Sequence, residues 1–527
     1  FREIVGKDAN LQVLSRGINT VMLDTGSREM IDLFAKMFAK HGTSTVRNFD
    51  ALNDVNNLMY SSECIKKHGM NHEAVVTMMD LPPGCKGAHD VAFYEKTLRN
   101  ILDSGIEFDS VCFKDASGTA NPHKVYETIA MARKLLGEEV HLRLHTHETA
   151  GVSVAAYLAA LEAGANGIDL AASPVSGGTS QPDILTMLHA TKGTDFNLGD
   201  LKLDKILKYE ERLKECLAEY MIPPEATQVS PLIPFSPMPG GALTANTQMM
   251  RDAGDLDKFD EVILAMKEVV ERGGYGTSVT PVSQFYWQQA YANVMFGPWK
   301  QIAPGYGRMV LGYFGKTPVE ADSEIIKLAG EKLGLEPTVK NPLDIADADE
   351  HKSIAHWTKV LEDEGLPTTD ENIFIAASCD QKGIAFLKGE GPLMVRKGKN
   401  DCSGEKEMAG NYTVVVDGKQ YSVQVAEGEG DIQVAPAVPD TAVAESATPS
   451  AVEAGEGSLH INSETPGNVW KILKNPGDSV SEGEQIMILE AMKMEIDIVA
   501  PKDGKVSTIN VNVNDAVVDG QLLATME

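Results

Sequence analysis

The run VHLRLHTHE, residues 140–148, closes an apolar stretch with two histidines two positions apart. Successive side chains of a strand point to opposite faces, so His145 and His147 share one face and Thr146 takes the other. Two imidazoles so placed can reach one metal ion; the plainer alternative is a hydrogen-bonded pair at a rim. Lys114 closes the run VCFK, where a lysine ordinarily snorkels and pairs with a neighbour such as Asp115. Asp50, in RNFDALND, closes another such run, a position suited to a role beside the site or its substrate. Far down the chain, Lys493 sits in EAMKME, an amine between two long unbranched side chains with the small Ala491 nearby. A solitary lysine of this kind is ordinarily just an exposed hairpin residue, and only its surroundings can make it more.

The elements that must position these residues are legible as an alternation. Short β-branched runs at 11–16, 44–51, 73–80, 109–118, 140–148 and 166–173 alternate with segments of helical spacing such as 27–41, 123–136 and 153–163. Six such units with polar strand ends predict an α/β fold, an incomplete (β/α)8 TIM barrel over residues 1–200. A barrel of this kind keeps its chemistry where its strands end and needs eight strands to close, so two strands are expected upstream of Phe1. Residues 201–395 turn mainly helical, broken by Pro- and Gly-rich loops at 233–247 and 312–318, which predicts a helical extension. A small β element is expected over 408–426, where Asp417-Gly418 suits a tight hairpin turn. Residues 427–457 are rich in Ala, Pro, Glu and Ser and short of bulky apolar side chains, the composition of a flexible linker. At roughly thirty residues its root-mean-square reach is about 30 Å.

The last segment, 458–527, repeats itself with an offset of 37: Gly467 meets Gly504, Val469 meets Val506, Asp478 meets Asp515, Val480 meets Val517, Gly483 meets Gly520 and Ile486 meets Leu523. Turn and core positions both recur, which predicts two β-rich halves related by a pseudo-twofold, a flattened barrel or sandwich. Lys493 falls in the hairpin between the halves.

Composition narrows the function classes. A chain of 527 residues without an apolar run long enough for a bilayer reads as soluble and multidomain. A net charge of -29 argues against nucleic acid, whose binding needs clustered Lys and Arg. Cys64, Cys85, Cys112, Cys216, Cys379 and Cys402 are scattered without metal-ligand spacing and read as reduced, cytoplasmic thiols. The chain opens at Phe1 without an initiator Met, so the natural N-terminus is expected further upstream.

Together, EAMKME, the duplicated β module and the Ala/Pro-rich tether resemble the biotin-accepting domain of biotin-dependent carboxylases and decarboxylases over about 458–527. A lipoyl domain usually has Asp before its lysine, where Met492 stands here. The resemblance implies an all-β biotinyl domain with biotin covalently on Lys493, placed there by a biotin protein ligase. One departure lies in LHINSETPGNV, which lacks the Ala-Pro-Met-like run common before that glycine; it touches packing rather than the acceptor.

KDASG (114–118), LHTHETAG (144–151) and SGGTSQPD (176–183), at three successive strand ends, resemble the carboxyltransferase domain of pyruvate carboxylase, oxaloacetate decarboxylase α subunits and transcarboxylase over most of 1–387. The resemblance implies a divalent metal (Zn, Mn or Co) on His145, His147 and a carbamylated Lys114, with Thr179 shuttling a proton between pyruvate and biotin. It also implies that Arg16, in SRGIN, binds the pyruvate carboxylate, a charge suited to a bidentate guanidinium; a surface salt bridge is the alternative. The family has an Asp with neighbouring Arg and Gln at the end of its first barrel strand, and no such segment precedes the first strand here. Leu23 stands where the pyruvate carboxylase pattern has a tyrosine, which weakens any carry-over of substrate contacts at that point.

Three functions follow as expectations. The first is the carboxyltransferase with fused carrier of a two-subunit pyruvate carboxylase, which needs a separate biotin carboxylase because no glycine-rich ATP module is visible. The second is the α subunit of a sodium-pumping oxaloacetate decarboxylase, peripheral at the membrane through integral partner subunits. The third is an inactive biotin-carrier fragment. The form of SGGTSQPD favours the first, and the resemblance also implies a homo-oligomer.

Overall fold

The computed structural model describes residues 1–391, 397, 410–416, 419–425, 459–463, 467–491, 494–513, 515–517 and 520–527. The chain divides into two compact units, one built on Phe1–Cys216 and Ile222–Leu393, the other drawn from Met394–Leu489 and Ile496–Glu527.

The first unit is organised by a parallel sheet of six strands in sequence order: β1 (Gln12–Ser15), β2 (Thr45–Asn48), β3 (Asn71–Thr77), β4 (Ser110–Asp115), β5 (His141–Thr146) and β6 (Gly167–Ile168). Helices Arg28–Lys40, Asn56–Lys67, Val91–Asp103, Pro122–Leu136 and Ser153–Glu162 return the chain between strands, the arrangement of an incomplete TIM barrel. Their starts are chemically marked: Ser27 accepts from Met30 N, Asp90 from Phe93 N and Asn121 from Lys124 N, each closing an open N-terminal turn. β6 is shorter than the run 166–173 suggests. It is an edge strand with a neighbour on one side only, and beyond it a single bridge from Ala171 to Asp183 continues the pairing.

Alternation sorts the strand side chains. Val111, Phe113, Leu142 and Leu144 face outward into a core with Tyr94, Leu98, Val125, Ile129, Ala156 and Tyr157 from the helices. Cys112, Lys114, Arg143 and His145 take the other face, where pairing sets Lys114 opposite His145 and Cys112 opposite Arg143. Beyond the sheet the unit is helical, and its core gathers around the helix Val282–Phe296, buried on nearly all sides. Within 233–247 the structure departs from a plain loop: Ile233–Phe235 is a single 3-10 turn and a helix runs from Gly240 to Ala253. Pro239 stands just before its first turn, where a missing N–H costs nothing, so a Pro-Gly cluster that reads as a breaker is a helix start. Among the described residues no helix is long and apolar enough to cross a membrane.

In the second unit β7 (Gly410–Val416) and β8 (Lys419–Val425) pair antiparallel, Val416 against Lys419. The turn Asp417-Gly418 and the tether 427–457 lie outside the described residues. The remaining strands are β9 (Leu459–Asn462), β10 (Gly467–Ile472), β11 (Ser479–Val480), β12 (Gln485–Ala491), β13 (Met494–Val499), β14 (Gly504–Ile509), β15 (Ala516–Val517) and β16 (Leu522–Met526). They form two four-stranded sheets, β13-β12-β10-β15 and β9-β16-β14-β11. An offset of 37 carries β10 onto β14, β11 onto β15 and β12 onto β16, so each sheet holds pieces of both halves and the repeat is a true pseudo-twofold. The hydrogen bonds repeat as well. Val469 N donates to Asp515 O and Val506 N to Asp478 O; Gly483 N donates to Ala500 O and Gly520 N to Ser463 O. Val469, Val506, Val480, Val517, Ile486 and Leu523 meet in one core. At its foot, Lys505 N donates to Glu527 O and Lys505 pairs with Ser479.

Candidate functional site

At the C-terminal ends of β4 and β5 the structure brings His145, His147 and Lys114 together. His145 Nδ1 lies 2.8 Å from Asp169 Oδ2 and His147 Nδ1 lies 2.7 Å from the Thr179 carbonyl oxygen. Both partners are acceptors, so both rings carry their proton on Nδ1 and present an unprotonated Nε2. Those two Nε2 atoms stand 3.0 Å apart. Two lone pairs turned on one point fit a cation between them. Burial holds His145 down to about 4, with Asp169 opposing and Lys114 adding to the shift; burial and then the neighbouring His145 hold His147 down to about 3. Both rings are therefore neutral at pH 7, the form that binds metals. Gln181 Nε2 completes the surroundings, 3.2 Å from His147 Nε2.

Lys114 is buried, its Nζ 4.9 Å from the centre of the Phe49 ring. Burial, followed by the positive charge of Arg47, lowers its amine to about 8. It does not pair with Asp115, whose carboxylate is occupied by Ser117 Oγ, Gly118 N, Ala120 N and Thr146 Oγ1. Among the described residues no group of three or more His, Cys, Asp or Glu could hold a metal. A metal held between the two rings would take a further ligand of another type, and Lys114 stands in register with His145 on the neighbouring strand.

Thr179 sits on the loop before the helix Ile184–Ala190. Its N and Oγ1 both reach Ala226 O, at 3.0 and 3.1 Å, and Oγ1 is 2.9 Å from Thr244 Oγ1. Arg16 is largely buried and donates through Nη1 to Val21 O and Met22 O; it forms no ion pair among the described residues, so the salt-bridge alternative is not seen. Desolvation lowers the hold on its proton, which a bound anion would reverse. Asp50 serves the loop after β2, accepting from Leu52 N, Asp54 N and Asn57 Nδ2, each at 3.0 Å. Lys493, with Met492, lies outside the described residues, between the ends of β12 and β13, which are neighbours in their sheet.

Several residues around the site escape a reading of strand ends. Asp169 fixes His145, and Thr244 meets Thr179. Gly118 and Gly240 allow close approach: a Cβ on Gly118 would lie 2.2 Å from His147 O, and one on Gly240 would lie 1.9 Å from Thr179 O. Arg47 and Glu73 are charged residues within strands of a parallel sheet, where apolar side chains are the rule, but their polar neighbours in the sequence hide that signal.

Residues 51–206 match the HMGL-like family model, residues 233–429 the conserved carboxylase domain, and residues 460–526 the biotin-requiring enzyme model. The chain is 31% identical to the B-type subunit of pyruvate carboxylase from Methanocaldococcus jannaschii, over 92% of its own length and 81% of that protein's. It is 29% identical to the methylmalonyl-CoA carboxyltransferase 5S subunit of Propionibacterium freudenreichii subsp. shermanii, over 81% of this chain and 82% of the other. The carboxyl transferase domain of Rhizobium etli pyruvate carboxylase shares the fold, with a TM-score of 0.63 at 22% identity over 72% of this chain, which spans 65% of that one. From the matched models, the likeness to the Methanocaldococcus protein along nearly the whole chain, and a duplicated β unit fused behind the barrel, the chain belongs to the biotin-dependent carboxyltransferases.

Proposed function

We propose that this protein moves a carboxyl group between biotin on Lys493 and a small 2-keto acid, pyruvate in one direction and oxaloacetate in the other. The observation that carries the reading is the pair of Nε2 atoms of His145 and His147, 3.0 Å apart, with Lys114 in register on the neighbouring strand. A divalent ion (Zn, Mn or Co) held by the two histidines and a carbamylated Lys114 would supply a Lewis acid for the keto oxygen. Biotin supplies a ring nitrogen that carries the carboxyl group. The remaining work falls to side chains. Arg16 uses one nitrogen on main-chain carbonyls, leaving the rest of its fork for the substrate carboxylate. The Thr179 hydroxyl, between Ala226 O and Thr244 Oγ1, takes the methyl proton of pyruvate as its own proton passes to the biotin nitrogen that the carboxyl group leaves. Lys114 is buried and the His145 side chain only 13% exposed, which limits the water beside them.

In this reading residues 1–200 and 201–395 form the carboxyltransferase, 427–457 the tether and 458–527 the carrier, charged by a separate biotin carboxylase. The test uses full-length protein made alongside an active biotin ligase. Mass spectrometry should find biotin on Lys493. With ATP, bicarbonate, pyruvate and an added biotin carboxylase, oxaloacetate should form and avidin should stop it. An unmodified lysine, or transfer indifferent to avidin, overturns the reading. Avidin-sensitive oxaloacetate decarboxylation without any ATP-driven carboxylation would favour the decarboxylase α subunit instead.

A further inference from the structure

We infer that Arg47 is a positioning residue for the paired histidines: pinned by Glu73, its guanidinium holds the Asp169 carboxylate on His145 Nδ1 and so aims His145 Nε2. The inference rests on the metal-binding reading of His145 and His147 proposed above.

The geometry is a closed ring of alternating charge on the inner face of the sheet. Arg47 Nε meets Glu73 Oε1 and Arg47 Nη1 meets Asp169 Oδ2. Arg143 closes the ring from the other side, Nε to Glu73 Oε2 at 3.3 Å and Nη1 to Asp169 Oδ1 at 2.9 Å. Two cations and two anions leave the ring neutral. Each Asp169 oxygen thus has an assigned cation, and its carboxylate cannot turn away from His145 without breaking one of them. Arg47 Nη1 also lies 3.2 Å from His145 Nδ1. An arginine N–H and an imidazole N–H are both donors, so the only group that satisfies both is the shared Asp169 Oδ2 between them. Its position therefore selects the ring tautomer that leaves Nε2 free.

Arg47 and Arg143 are not equivalent. The Arg47 side chain is 7% exposed and that of Arg143 25%, and only Arg47 shares the oxygen that His145 uses. Arg47 and Glu73 are both buried, and taking such a pair out of water carries a desolvation cost that branched apolar side chains, the usual filling of such a barrel, would not incur. Arg47 Nη2 is buried without a hydrogen-bond partner among the described residues. Glu73 is the anchor, accepting also from Gln12 Nε2 and Ser110 Oγ.

The experiment reads metal binding rather than turnover. Full-length biotinylated protein is stripped with a chelator and titrated with Co(II), following the visible absorption of the bound ion, and the His145 tautomer is read by NMR of 15N-histidine protein. Arg47→Gln should weaken Co(II) affinity about ten- to hundredfold, the usual cost of losing such an outer partner, and should mix the His145 tautomers; Arg47→Lys should recover part of both. Should Arg47→Gln not fold, the paired variant Arg47→Met with Glu73→Gln removes both charges together and leaves no lone carboxylate at that contact; the same loss is expected. Co(II) affinity and tautomer equal to those of the unsubstituted protein in either folded variant overturn the inference. Failure of the unsubstituted protein to bind Co(II) instead overturns the metal reading, and the inference with it.

Discussion

At the scale of single residues, Gly240 shows how little slack the site has. Its N–H donates to Ala116 O while the space beside its Cα is filled by the Thr179 carbonyl, which orients His147. Gly240→Ala would put a Cβ 1.9 Å from that oxygen and 2.9 Å from His147 Nδ1. We expect activity to fall about a hundredfold, as for displacements near 1 Å, with a modest change in thermal stability; kinetics beside a melting curve check this. His89 makes a different prediction. It is wholly buried, its nitrogens taken by Tyr94 Oη and Tyr275 O, and burial lowers it to about 4. The unfolded chain takes up this proton near pH 6.5 and the folded chain resists until about 4. The stability tied to His89 is therefore complete above 6.5 and lost as the pH falls toward 4, about 3 kcal/mol in all. Asp50, raised by burial and by Asp54 to about 7, works in the opposite sense: it favours the folded state at low pH and costs stability as the pH rises from 3.8 toward 7. Urea unfolding at pH 7 and pH 5 should show a shallower acid loss in His89→Gln; an unchanged slope would sink the assignment.

At the scale of elements, Asp183 joins the Thr179 loop to its helix. It caps the helix Ile184–Ala190 by accepting from Leu185 N at 2.8 Å and takes Ser176 Oγ at 2.7 Å on its other oxygen. Asp183→Ala should lower stability by about 1 kcal/mol and reduce kcat more than it raises KM, because the loop that places Thr179 loses its tie. Urea titration and steady-state kinetics measure the two effects. How much of this was legible beforehand follows from which signals are local. The six strands and the helices between them were visible because apolar periodicity is local. The pair His145 and His147 was visible because a spacing of two has only one meaning on a strand. Asp169, Arg47 and Thr244 were not, since their roles arise between strands and loops distant in sequence, and a lone Asp or Arg in a run does not announce its partner. The Pro-Gly cluster before Gly240 misled for the opposite reason: the same residues break a helix and begin one.

At the scale of the whole molecule, each unit encloses its own core, and that of β9–β16 closes within residues 459–527. This segment made alone should unfold cooperatively by circular dichroism and accept biotin from a ligase; a non-cooperative melt would show that its core needs the rest of the chain. The strand order of that unit has one more effect. Glu527, Lys505 and Ser479 meet at the foot where β9 begins and β16 ends, and Gly483 and Ala500 close the base of β12 and β13 just beyond. From there β12 climbs through Gln485–Ala491, a rise of roughly 20 Å at strand spacing. The β unit is thus a stiff strut: its first and last strands begin and end at the heel, while the far ends of β12 and β13, which flank residues 492–493 in sequence, lie a strand's length away. Under the proposed function that length would separate a carried group from the point where the unit joins the chain.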